Sequence, residues 1–299
     1  MLLSLACYAA AMVLLYRLAA AEFDTRTAAL SVAFISVFPT AVSFGVVYSE
    51  SLFLLLCLAA FVFGRRDNWA LAGLAGLLAV ATRSSGLVLA PALLVLYAQQ
   101  RGWSLADVSL RRRDARLAWL LLVPAGLAAF MAYLWWRRGN PLAFSAAEHA
   151  HWGRALAWPW LDPLRGLHAS LTALRVLHVH RAGLARLLLP VRGVPDPLLT
   201  LLGFATLAAV VVLVAAAWRR LPPAYTVFAV ASVLVPLLFP SSQRALYSFP
   251  RFAGVIFPLF MVLGLGTRRR PVLAWILVGC SFVGLLWVTR LFALDLPAL

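Results

Sequence analysis

The sequence predicts an all-α, polytopic transmembrane protein, and three observations predict it. Hydrophobic residues fill 64% of the 299 positions and charged residues only 12%, about half the roughly 25% of an ordinary soluble domain. The apolar residues come in long runs, without the strict alternation of a half-buried strand. The charged residues gather in short bridges between those runs, where membrane topology places them.

Ten segments can be drawn as spans, at about 1–20, 27–45, 50–64, 69–83, 85–100, 117–136, 198–218, 223–240, 252–267 and 271–290. Several fall short of the roughly 20 residues of a straight crossing, as expected where helices break around a cavity. The whole chain, 1–299, is read as a single transmembrane domain. Residues 137–197 form a non-spanning loop region within it.

The net charge of +16 is carried by arginine alone, since no lysine occurs. Its clustering in short bridges between apolar segments argues for the lipid bilayer as the partner and against nucleic acid. Arg65-Arg66, Arg101 through Arg116, Arg219-Arg220 and Arg268 to Arg270 fall on one side in this count. The positive-inside rule makes that side cytoplasmic. Tyr48 to Glu50, Arg83 to Ser85, residues 137–197 and Ser241 to Arg251 then lie on the other face. The N-terminus also falls outside, with no cleavable leader in Met1 to Ala20, so a preceding span is expected. Cys7, Cys57 and Cys280 sit in apolar segments and read as small core residues.

The most informative stretch runs from Phe38 to Phe53. It is apolar, yet holds Pro39, Gly45 and Glu50. An ionised carboxylate in hydrocarbon costs several kcal/mol and normally faces a watery cavity or a partner. Proline breaks the helical ladder, which is tolerated where protein or water satisfies the freed groups. The expected path is a helix up to about Gly45, a turn through Ser49, and a descending helix from Glu50. Tyr48 and Glu50 then stand at the mouth of a site.

In the loop region, Gly139-Asn140-Pro141 marks a turn. Glu148-His149-Ala150-His151-Trp152-Gly153-Arg154 forms a polar and aromatic cluster. Leu164 to Leu189 interleaves Arg and His with Leu and Val at helical spacing, which predicts an amphipathic interfacial helix. Trp135-Trp136 and Trp158-Pro159-Trp160 read as interface anchors, and Asp162 and Asp196 as loop-shaping Asp-Pro pairs.

Taken together, Phe38-Pro39-Thr40, Tyr48-Ser49-Glu50-Ser51-Leu52-Phe53 and Ala81-Thr82-Arg83-Ser84-Ser85-Gly86 resemble the mannosyltransferases of the PIG-V type. Gly139-Asn140-Pro141-Leu142-Ala143-Phe144 with Trp152-Gly153-Arg154, then Ser248-Phe249-Pro250-Arg251-Phe252 with Phe257-Pro258-Leu259, continue the resemblance over roughly residues 30–265. These are integral-membrane GT-C glycosyltransferases, whose eukaryotic members add the second mannose of the GPI anchor. The resemblance implies a GT-C-like helical fold with an extracytoplasmic amphipathic loop region. It also implies a polyprenyl-phosphate sugar donor and catalysis on the extracytoplasmic face. The catalytic Asp that it implies, in a first outer loop, has no counterpart here. Either a preceding segment carries that Asp or the chain is a non-catalytic homologue.

Sugar transfer from a polyprenyl phosphate needs a proton-accepting carboxylate, cations on the leaving phosphate and a platform for the sugar. Glu50 is the candidate catalytic residue, as base or as orienter of the acceptor hydroxyl; its alternative is a helix N-terminal charge. Tyr48, Arg83, Trp152, Arg154 and Arg251 are the candidate substrate-binding residues. Arg is well shaped for phosphate, and the alternative for Arg83 and Arg251 is snorkelling to headgroups. Arg244 and Arg290 fit snorkelling better, and Glu22 and Asp24 are not expected in catalysis. No metal is expected, because His149 and His151 point to different faces of a helix, and no cofactor is expected. The acceptor implied is a cell-envelope glycan or glycolipid, and the location a bacterial plasma membrane. A transporter or lipid flippase is the alternative class.

Overall fold

The computed structural model describes residues 1–102, 114–179 and 197–294, and every regular element among them is helical. In chain order these are α1 (Leu2–Glu22), α2 (Thr25–Ser36), the single turn α3 (Val42–Gly45), α4 (Glu50–Arg65), α5 (Trp69–Thr82) and α6 (Leu89–Gln100). They continue with α7 (Leu122–Arg138), α8 (Ala143–Trp152), α9 (Leu161–Val179), α10 (Pro197–Arg220), α11 (Pro223–Leu238), α12 (Phe249–Gly254), α13 (Phe257–Thr267) and α14 (Pro271–Ala293). Short 3-10 segments, Ser84–Val88 and Ala115–Leu121, lead into α6 and α7.

Among the described residues, four helical segments are long and apolar enough to cross a bilayer: Leu2–Glu22, Ala115–Arg138, Pro197–Arg220 and Pro271–Ala293. The protein is a membrane-embedded helical bundle. Helix occupies each of the ten segments drawn from the sequence, but the other six are shorter. The largest departure is in 27–45, where α2 stops at Ser36 and only the one-turn α3 follows. Pro39 is the physical reason, because proline disfavours helix at the residue before it and has no N–H to bond the carbonyl four residues back.

The bundle centres on α4. Its sequence is apolar all round, the pattern of a helix enclosed on every side, and Phe53, Leu54, Cys57, Leu58, Ala60 and Phe61 are all buried. Phe61 stacks on Tyr225 at 5.0 Å and meets Phe228 and Phe257 edge-on at 5.6 and 5.3 Å. In lipid, where water does not drive helices together, such van der Waals fit holds the bundle. Of the cysteines, Cys7 and Cys57 are buried as expected, whereas Cys280 is exposed on α14.

A helix rises about 1.5 Å per residue, so the 16-residue α4 separates Glu50 from Arg65 by about 22 Å. The two ends carry different chemistry. At the Arg65 end, Arg65 pairs with Glu22 at 2.6 Å, Arg268 with Asp24, and Arg101 and Arg116 with Asp67. Glu22 also accepts the Tyr225 hydroxyl, and Arg101 reaches Asp114 at 3.3 Å.

The loop region only partly follows expectation. A helix covers Leu161–Val179, and the remainder of the expected Leu164–Leu189, with Asp196, lies outside the described residues. Trp158 and Trp160 are exposed and stacked on each other at 4.9 Å, as membrane-surface anchors would be. Asp162 differs from its reading as a loop former: it lies buried in the first turn of α9, where its Oδ2 accepts the Leu246 N–H at 3.0 Å.

Candidate functional site

The site lies at the Glu50 end, and short-range chemistry explains each of its parts. Between α2 and α4 the chain runs through Phe38 to Ser49 as bends and the turn α3. Its polar groups are tied individually: Ser51 Oγ donates to the Phe44 carbonyl at 2.7 Å, and Thr40 Oγ1 donates to the Pro250 carbonyl at 3.1 Å. Glu50 is the first residue of α4, where the helix dipole favours negative charge.

Arg83 ends α5 in extended geometry, φ −150° and ψ 128°. The chain then folds back so tightly that a Cβ on Gly86 would lie 2.8 Å from the Val80 nitrogen. Glycine is required by that approach, and the reversal turns Arg83 inward. Arg251 comes from α12, behind the residue pair Leu246 and Ser248, both at positive φ. Arg154 follows Gly153, the left-handed end of α8, where a Cβ would lie 1.8 Å from Ser242 Oγ. Gly153 therefore lets the α8 segment lie directly on the 240–243 loop. Ser241 Oγ to the Trp152 carbonyl, Gln243 Nε2 to the His151 carbonyl and Arg154 Nη1 to the Phe239 carbonyl hold it there.

These separate segments converge on one carboxylate and one ring. Glu50 is 2% exposed. Its Oε1 accepts from Arg83 Nη1 at 2.7 Å and lies 3.4 Å from Arg251 Nε. Its Oε2 is buried with no hydrogen-bond partner among the described residues, and Arg251 Nε likewise donates to none. The guanidinium carbons of Arg83, Arg154 and Arg251 stand 5.4, 5.3 and 5.5 Å from the centre of the Phe252 ring. Arg251 also covers the Tyr48 ring at 5.2 Å, and Arg83 the Phe53 ring at 5.8 Å.

Three cations around one aromatic face repel each other. Desolvation first, then the fields of Arg251 and Arg83, pull the Arg154 pKa below its ordinary value, against the opposing pull of Glu148. Glu148 binds Arg154 Nε at 3.1 Å, but its side chain is 53% exposed, so it neutralises the cluster from solvent. The arrangement can take up an anion: burial strengthens charge attraction, and guanidinium groups present paired donors to phosphate oxygens.

Glu50, Tyr48, Arg83, Arg154 and Arg251 are thus brought together. Snorkelling does not describe Arg83 or Arg251, whose side chains are 19% and 20% exposed and turn inward to Glu50. Trp152 is placed differently, its ring against Tyr247 at 5.5 Å while Arg154 reaches into the cluster. Arg244 lies over the same Tyr247 ring at 5.3 Å. His149 and His151 turn to separate carbonyls, of Arg154 and Ala147.

Compared with protein-family models, with curated proteins and with solved structures, the chain matches none. Its chemistry rests on its own geometry. Two participants carry weak local signals in the sequence. Phe252 is an aromatic among aromatics, and only the spatial meeting of three arginines distinguishes it. Ser248 is one serine in a loop, and its conformation gives it meaning.

Proposed function

We propose that this protein is a GT-C-type glycosyltransferase that moves mannose from a polyprenyl-phosphate donor to a cell-envelope glycan or glycolipid. The supporting observation is the meeting of Arg83, Arg154 and Arg251 on Phe252, beside a buried carboxylate with one unbonded oxygen. In this reading the three guanidiniums hold the donor phosphate and stabilise it as it leaves. The acceptor hydroxyl oxygen forms a bond to the anomeric carbon while the bond from that carbon to the phosphate oxygen breaks. The hydroxyl proton goes to Glu50 Oε2, because Oε1 is engaged by Arg83. Tyr48, 40% exposed and against Arg251, flanks the sugar. The positive-inside rule puts this end on the extracytoplasmic face of the membrane.

The test is transfer of radiolabelled mannose from polyprenyl-phosphate mannose by membranes carrying the full chain. Glu50→Gln and Arg251→Ala are each expected to lower transfer by about two orders of magnitude, the size of a lost acid–base or anion-stabilising group. Unchanged transfer by both variants removes these residues from the reaction.

A further inference from the structure

Beside Arg251, on the side of α10, lies a narrow crevice of about 20 Å³ lined by Thr40, Leu199, Leu202, Arg244, Ser248 and Arg251, among others. That is room for about one oxygen atom. Among the described residues that line it are the guanidiniums of Arg244 and Arg251 and no carboxylate.

Ser248 is the unexpected residue there. It is 5% exposed, yet its hydroxyl makes no hydrogen bond among the described residues. Buried polar atoms are nearly always paired, so an orphan calls for an explanation. Helix capping does not supply one: Ser248 precedes α12, but its side chain accepts no hydrogen bond from that helix. Its backbone adds a second cost, with φ at 59°, the left-handed region where glycine is easier. A residue that is unfavourable for its backbone and unsatisfied in its burial marks a functional position more often than a packing one.

We infer that Ser248 is a phosphate-binding residue whose hydroxyl donates to one oxygen of a phosphate monoester seated on Arg251, with the ester's alkyl chain against Leu199 and Leu202. This deepens the proposed function and rests on its assignment of Arg251 to a phosphate. The crevice takes the single oxygen; the Arg251 guanidinium takes the rest of the group. The same chemistry serves a lipid phosphate or free phosphate, and the apolar wall from α10 favours the lipid.

Ser248→Gly tests this cleanly, because glycine removes the hydroxyl while relieving the backbone. The purified full chain in nanodiscs is titrated with dodecyl phosphate and, separately, with inorganic phosphate. The variant is expected to keep or raise the thermal midpoint of the wild type and to bind dodecyl phosphate about tenfold more weakly, the loss of one charge-assisted hydrogen bond. An equal loss for inorganic phosphate assigns the crevice to the phosphate group whatever its source; a loss confined to dodecyl phosphate assigns it to the lipid. Equal affinity of wild type and variant for dodecyl phosphate, or no binding by the wild type, overturns the inference. The transferase reading is judged separately: a Ser248-dependent phosphate site without mannose transfer keeps this inference and rejects that activity, while transfer with a Ser248-independent site does the reverse.

Discussion

The two ends of α4 use the same two residue types for different ends. At the Arg65 end, ion pairs tie separate segments together and several are open to water: the side chains of Arg116 and Asp67 are 54% and 47% exposed, and both oxygens of Asp67 are taken. At the Glu50 end, one buried carboxylate serves two arginines, a third crowds the same ring, and one oxygen is left over. In the first arrangement each cation has a carboxylate partner and the exposed pairs are screened, so these anchor helix ends with little energy at stake. The second is under-neutralised and partly buried, so it retains attraction for an anion.

Removing Glu50 should break that contrast most severely. Glu50→Ala leaves Arg83 and Arg251 without a counter-charge in a buried setting, a loss of about 3 kcal/mol or more. The thermal midpoint in detergent should fall, and added phosphate should restore part of it, which no substitution at the Arg65 end should allow. A midpoint indifferent to phosphate would mean that the cations are already neutralised.

Gly153→Ala comes next. A side chain at φ 60° against Ser242 should cost about 1–3 kcal/mol and shift Arg154 away from Phe252. Thermal unfolding reads the first effect, and mannose transfer the second.

At the opposite end, Arg116→Ala should cost less than about 1 kcal/mol, as exposed pairs do, and leave transfer unchanged. A large effect on either would erase the distinction between the ends.

The smallest expected effect is a pH dependence. The Thr27 N–H first, and the Arg268 guanidinium after it, hold the Asp24 carboxyl below its ordinary 3.8, against some desolvation. A depressed carboxyl stabilises the folded state above its unfolded pKa and loses that contribution as pH falls through the folded value. The difference in thermal midpoint between wild type and Asp24→Ala should therefore stay constant above about pH 5 and shrink progressively as the pH falls through 3.8 and below.

How much of this was legible in the sequence follows from range. Glu50 stood out because a carboxylate in an apolar run is costly wherever it points. Arg83 and Arg251 were legible as helix-end cations, though only coordinates distinguish an arginine folded onto a carboxylate from one reaching for headgroups. Pro39 was legible as a break; that the helix would end as early as Ser36 depends on packing around the bend, including Ser281 Oγ donating to the Val37 carbonyl at 3.0 Å. Asp162 was misread because an Asp-Pro pair looks alike in a loop and in the first turn of a helix. The Leu246 N–H that it accepts lies far along the chain and has no local signature.

The order in which these charges enter the membrane follows from where they lie in the chain. Glu50 and Arg83 sit on neighbouring helices and can neutralise each other as a pair before Arg251 has been made. Arg251, tied in through the bond between Thr40 and the Pro250 carbonyl, arrives only with the final helices. A Glu50–Arg83 pair formed first would keep that carboxylate neutralised while Arg154 and then Arg251 join it from later helices.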